Sequence, residues 1–99
     1  MADAAVVDTE LLTRVSRRHG ATLVAIFGSR ARGGRSPESD LDVLVRFEEP
    51  KSLFELVQIE IELADALGVP VDLVTEASLS PYMRDRVSRE MHVVYDERA

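Results

Sequence analysis

Apolar positions along the chain switch repeatedly between helical and strand spacing. Leu11, Leu12 and Val15 recur at helical spacing behind Asp8 and Thr9, either of which can cap a helix. Arg17, Arg18 and His19 crowd the last turn, where positive charge suits the helix dipole, and Gly20 stops it. Ala21–Phe27 is apolar at both alternating sets of positions, as a central strand requires. Residues 28–34 then read as a turn or short helix, and residues 35–39 as a loop. Leu41–Phe47 is a second strand, broken by Glu48, Glu49 and Pro50.

Ser52 and Glu55 form a capping box that opens the longest helix, which Gly68 and Pro70 end. Its polar stripe is narrow (Glu55, Gln58, Glu62, Asp65) and its apolar face wide. A helix this apolar is either covered by the fold or shared with a partner, and we read it as core. Val71–Thr75 is a third strand, Ser80-Pro81 starts a last helix, and residues 92–95 read as a fourth strand. The alternation of helix and strand predicts an α/β fold, a small mixed sheet flanked by helices. At 99 residues the chain is expected to be one domain, residues 1–99.

Composition narrows the function classes. With 45% hydrophobic and 30% charged residues the chain is globular in type, and without cysteine it has neither disulfides nor thiolate zinc sites. No apolar run approaches the roughly 18 residues that span a bilayer, and no secretory leader is evident, so a cytoplasmic protein without membrane association is expected. The net charge of −6 argues against direct DNA binding. That average hides an asymmetry: residues 11–37 hold six arginines and no acid, whereas residues 38–76 hold eleven acids against Arg46 and Lys51. Either these are two solvated faces, or one site holds phosphates on one side and cations on the other.

Asp40 and Asp42 stand two apart at the entry of the second strand, so strand period puts both carboxylates on one side of the sheet. Like charges this close need a compensating cation, and Mg²⁺ bound by one or two carboxylates together with substrate phosphates is a usual one. Asp72 lies in the third strand, and if that strand neighbours the second, three carboxylates converge. Gly28 and Ser29 close the first strand, where free backbone N–H groups, a glycine and a small hydroxyl make an anion seat. Arg30 and Arg32 can add charge-assisted phosphate contacts. The segment is not a P-loop, because Gly34 and Arg35 stand where its Lys and Ser or Thr belong. His19 and His92 read as a helix-end and a strand-start residue, and nothing selects Tyr82 or Tyr95 as a modification target.

Gly28-Ser29, ten residues, and then Asp40-Leu41-Asp42 is a spacing that resembles the DNA polymerase β-type nucleotidyltransferases. The whole run FGSRARGGRSPESDLDVLV resembles the minimal nucleotidyltransferases of bacteria and archaea, a family of short single-domain proteins. These are commonly encoded beside a helical HEPN protein as the antitoxin of a toxin–antitoxin pair. The resemblance implies a catalytic set of Asp40, Asp42 and Asp72 holding two Mg²⁺ ions, with Gly28, Ser29, Arg30 and Arg32 on the triphosphate. It further implies transfer of AMP from ATP to a hydroxyl, a tyrosine of the cognate HEPN toxin, with pyrophosphate released. Two alternatives stand beside it: an antitoxin that neutralises by binding alone, and a small-molecule transferase of the aminoglycoside type. Oligomeric state is left open by the sequence.

Overall fold

The computed structural model describes residues 7–28 and 40–99. Helix α1 (Thr9–Arg18) precedes strand β1 (Ala21–Phe27), and β2 (Leu41–Phe47) leads to the long helix α2 (Leu53–Leu67). Strand β3 (Val71–Thr75), a 3-10 turn (Glu76–Ser78), α3 (Pro81–Glu90) and β4 (His92–Asp96) complete the order. The strands form one mixed sheet ordered β3-β2-β1-β4. β1 is antiparallel to both its neighbours, while β2 and β3 run parallel. A parallel pair needs a crossover, and α2 is the crossover here. This is the α/β mixed sheet that the pattern predicts.

The helix ends follow from local chemistry. Asp8 accepts the Leu11 N–H at 3.0 Å and caps α1. In α2 the box closes both ways: Glu55 N–H donates to Ser52 Oγ at 3.1 Å, and Ser52 N–H to Glu55 Oε1 at 2.9 Å. Those contacts with Ser52 hold the Glu55 carboxyl below its ordinary value. Gly68, at φ +74, supplies the left-handed residue that ends α2. Ser80 caps α3 with Pro81 at its first position.

Both faces of the sheet are covered, unequally. Val24, Ile26, Leu41, Val43, Val45 and Val71 pack on one face beneath Leu12 and Val15 of α1 and Ile59 and Leu63 of α2. Leu23, Ala25 and Leu44 point to the other face, where Val87 is the one buried residue of α3. That division explains why β1 is apolar on both its faces, Thr22 apart. The edge strand β3 is blunted from α2, where Glu60 Oε2 accepts the Leu73 N–H at 2.8 Å. Glu62 clasps α1 to α2, facing Arg18 at 3.0 Å and His19 at 2.8 Å.

The structure corrects the reading of α2 as core on its whole apolar face. Only Ile59 and Leu63 are buried, whereas Leu53, Phe54, Val57 and Ile61 are exposed. Sequence pattern counts apolar residues around a helix, but one sheet can cover only the side that faces it. Among the described residues, no helix is long and apolar enough to cross a membrane.

This orientation sets two substitutions in the same helix apart. Leu63→Ala is expected to lower the unfolding free energy by about 2–5 kcal/mol through the cavity it leaves. Phe54→Ala is expected to stay within about 0.5 kcal/mol, as surface changes do. Urea denaturation of the isolated chain checks both, and equal losses would contradict the seating of α2.

Candidate active site

The topology gathers four strand ends at one edge of the sheet. β1 finishes there, and β2, β3 and β4 begin there, because β1 opposes β2 and β4 while β3 follows β2. The pairing of β2 with β3 starts at this edge, where Leu41 N–H donates to the Pro70 carbonyl at 2.8 Å. In this register Phe27 lies opposite Asp42, and Asp42 lies beside Asp72. Paired strands run about 4.8 Å apart, so the two aspartates stand side by side on the face opposite α1 and α2. The sequence left that neighbourhood conditional on the strand order, and the order satisfies the condition.

Gly28 closes the corner. Its φ of +79 is one that side-chain-bearing residues rarely adopt. A Cβ built on it would run into Asp42 Oδ2 and lie 3.0 Å from Asp42 Cγ. The glycine is therefore demanded twice, by backbone conformation and by the carboxylate packed against it. Its sequence reading gave it only to phosphate. The packing on Asp42 had no sequence signal, because it arises from strands joined through a long connection.

Exposure differs among the three acids. Asp42 is half-buried, while Asp72 and Asp40 are exposed, Asp40 standing just ahead of β2. Arg46 shares the face of Asp42 but sits four residues along the strand, roughly 13 Å away at 3.3 Å per residue. It is engaged there, 3.5 Å from Glu76 and 3.7 Å from Asp96, with Thr22 Oγ1 at 3.2 Å. The strand's own cation thus serves the far end of the sheet. Among the described residues, no three His, Cys, Asp or Glu side chains are close enough together to hold a metal ion. The donor set at the corner is nevertheless all oxygen. Two neighbouring carboxylates fit Mg²⁺, which takes few protein ligands and completes its shell with water and phosphate. Ser29, Arg30 and Arg32, together with the segment expected as a turn or helix after Gly28, lie outside the described residues.

The nucleotidyltransferase domain family matches residues 9–94. The protein adenylyltransferase MntA of Thermococcus cleftensis is 42% identical over 78 residues, covering 79% of this chain and 77% of MntA. Among solved structures, a toxin–antitoxin complex with AMP-PNP superimposes with a TM-score of 0.83 at 23% identity, over 90% of this chain and 73% of that one. A tri-AMPylated Shewanella oneidensis HEPN toxin in complex with an MNT antitoxin gives 0.73 at 21%, over 89% and 69%. These two structural likenesses speak to the fold. Matched by that family over most of its length and 42% identical to a protein adenylyltransferase, this chain belongs to the nucleotidyltransferase domain family of enzymes.

Proposed function

We propose that this chain is a protein adenylyltransferase that transfers AMP from ATP to a tyrosine hydroxyl of a cognate HEPN toxin, and that it acts as the antitoxin of that pair. The observation that carries the reading is the adjacency of Asp42 and Asp72 beside Gly28 at one sheet edge. The relative named a protein adenylyltransferase supports the reaction, and the AMP-PNP and HEPN complexes of the structural neighbours support the donor and the partner. In this reading residues 1–99 act as one catalytic domain in the cytoplasm.

Each residue then has a task. Gly28 and Ser29 seat the triphosphate with backbone and hydroxyl donors, and Arg30 and Arg32 add charge-assisted bonds to its oxygens. Asp40, Asp42 and Asp72 would hold two Mg²⁺ ions, which when bound neutralise phosphate charge and acidify the acceptor hydroxyl. Asp72, exposed at the edge, is open to an incoming acceptor and takes its proton. The acceptor oxygen bonds to the α-phosphorus as the bond to the pyrophosphate oxygen breaks, so AMP is transferred and pyrophosphate leaves. Gly28 keeps the Asp42 carboxylate at its place by leaving no side chain in its way.

Two outcomes test this. Asp42→Asn is expected to reduce AMP transfer to the toxin about 10³-fold, the rate equivalent of several kcal/mol of charge stabilisation. Intact mass of the toxin after incubation with ATP and Mg²⁺ reads it, with complex formation unchanged. Full toxin neutralisation by that variant would overturn catalysis in favour of an antitoxin that only binds. Gly28→Ala combines a left-handed alanine, costing about 1–2 kcal/mol of stability, with a displaced Asp42. Transfer by this variant is expected to fall roughly 100-fold, as about 1 Å of misplacement does. A thermal melt run alongside separates lost activity from lost fold.

A further inference from the structure

Strand β3 carries Asp72 and has a strand neighbour on one side only. Among the described residues, the exposed Asp72 carboxylate has no hydrogen-bond or ion-pair partner. Nothing bound to the side chain sets its direction, so it inherits that direction from the strand. What holds the backbone at Asp72 therefore decides where the carboxylate stands.

Backbone groups along a strand turn to its two sides at alternate residues. The Pro70 carbonyl faces β2, where it accepts the Leu41 N–H at 2.8 Å. Two residues on, the Asp72 carbonyl is turned toward β2 in the same way. The Leu73 N–H is turned outward, and Glu60 Oε2 accepts it at 2.8 Å. That carbonyl and that N–H belong to one peptide group, the one that leaves Asp72. The ladder holds it from the inner side and Glu60 from the outer side. Because the acceptor is a carboxylate, the outer bond is of the stronger, charge-assisted kind.

Glu60 is itself held in place by α2. Ile59 and Leu63 bury one stripe of the helix against the sheet. At about 100° per residue, Glu60 and Glu62 fall on opposite flanks of that stripe. Glu62 turns to α1, and Glu60 turns to β3. Glu60 also stands apart from the helix's polar stripe of Glu55, Gln58, Glu62 and Asp65, between Ile59 and Ile61 in the chain.

We infer that Glu60 is the positioning residue for Asp72: by pinning the peptide group that follows Asp72, it fixes that carboxylate beside Asp42. The inference rests on the proposed adenylyl-transfer reading and adds a residue of α2 to it. Glu60 reaches β3 from the sheet face opposite the Asp72 side chain, so its effect runs through the backbone.

The test titrates Mn²⁺ into the full chain with AMP-PNP by calorimetry, and follows AMP transfer to the toxin with Mg²⁺. Glu60→Ala is expected to weaken Mn²⁺ binding and lower kcat roughly 10–100-fold, as loss of a hydrogen-bond partner behind a metal ligand does. KM for ATP is expected to stay within a few-fold, because the proposed triphosphate seat begins at Gly28, beyond β1. Glu60→Gln keeps an acceptor oxygen and is expected to restore both quantities to within a few-fold of wild type. In an Asp72→Asn background, Glu60→Ala is expected to weaken Mn²⁺ no further, since both changes act on one ligand. Wild-type Mn²⁺ affinity in Glu60→Ala would overturn the inference. An equal loss in both backgrounds would overturn it too, because Glu60 would then act on the fold at large. Mn²⁺ binding that depends on Glu60 and Asp72, without AMP transfer by the wild-type chain, supports the positioning role and overturns the catalytic reading.

Discussion

The parallel pairing of β2 with β3 is the constraint on which the candidate site depends. It fixes Asp42 beside Asp72, and it does so through backbone ladder bonds remote from any side-chain chemistry. The antiparallel pairing of β1 on the other side of β2 then brings Gly28 against the Asp42 carboxylate. A slip of one residue in either ladder would turn Asp42 or Asp72 into the face buried by α1 and α2. There an aspartate would stand among Leu41, Val43 and Val71, so the apolar core and the site enforce the same register.

Charge is partitioned along the same strand. β2 presents Asp42, Leu44 and Arg46 to one face, with acid and base at opposite ends. Arg46 is committed to Glu76 and Asp96 through an ion-pair set that ties β2 to the 3-10 turn and β4. The aspartates keep their place at the edge where β1 ends. Separation of this kind costs little in a sheet, because 3.3 Å per residue moves a side chain out of Coulombic reach within a few positions.

Helix α2 works on three sides. Ile59 and Leu63 anchor it to the sheet, Glu60 caps an edge N–H of β3, and Glu62 joins it to α1. The fourth side is apolar and faces outward. Read as sequence, those residues are indistinguishable from core, because periodicity reports how apolar a face is and not what covers it.

Much of this was legible beforehand. Capping residues and terminators set the bounds of α1, α2 and α3, because helix ends are decided within four residues of chain. The strands were legible from apolar runs between turn residues, and the Gly28-Ser29 and Asp40-x-Asp42 spacing pointed to nucleotidyl transfer. Strand order was not, since pairing joins residues from 15 to 73 positions apart and nothing local encodes which neighbour wins. The sequence by itself therefore determined the α-helices and strands of the described residues and, closely, their ends. Tertiary structure alone decided that Asp72 stands beside Asp42, that Gly28 packs on that carboxylate, and which side of α2 meets water. Each of those depends on which surfaces a folded sheet brings together, a long-range property that local propensity does not carry.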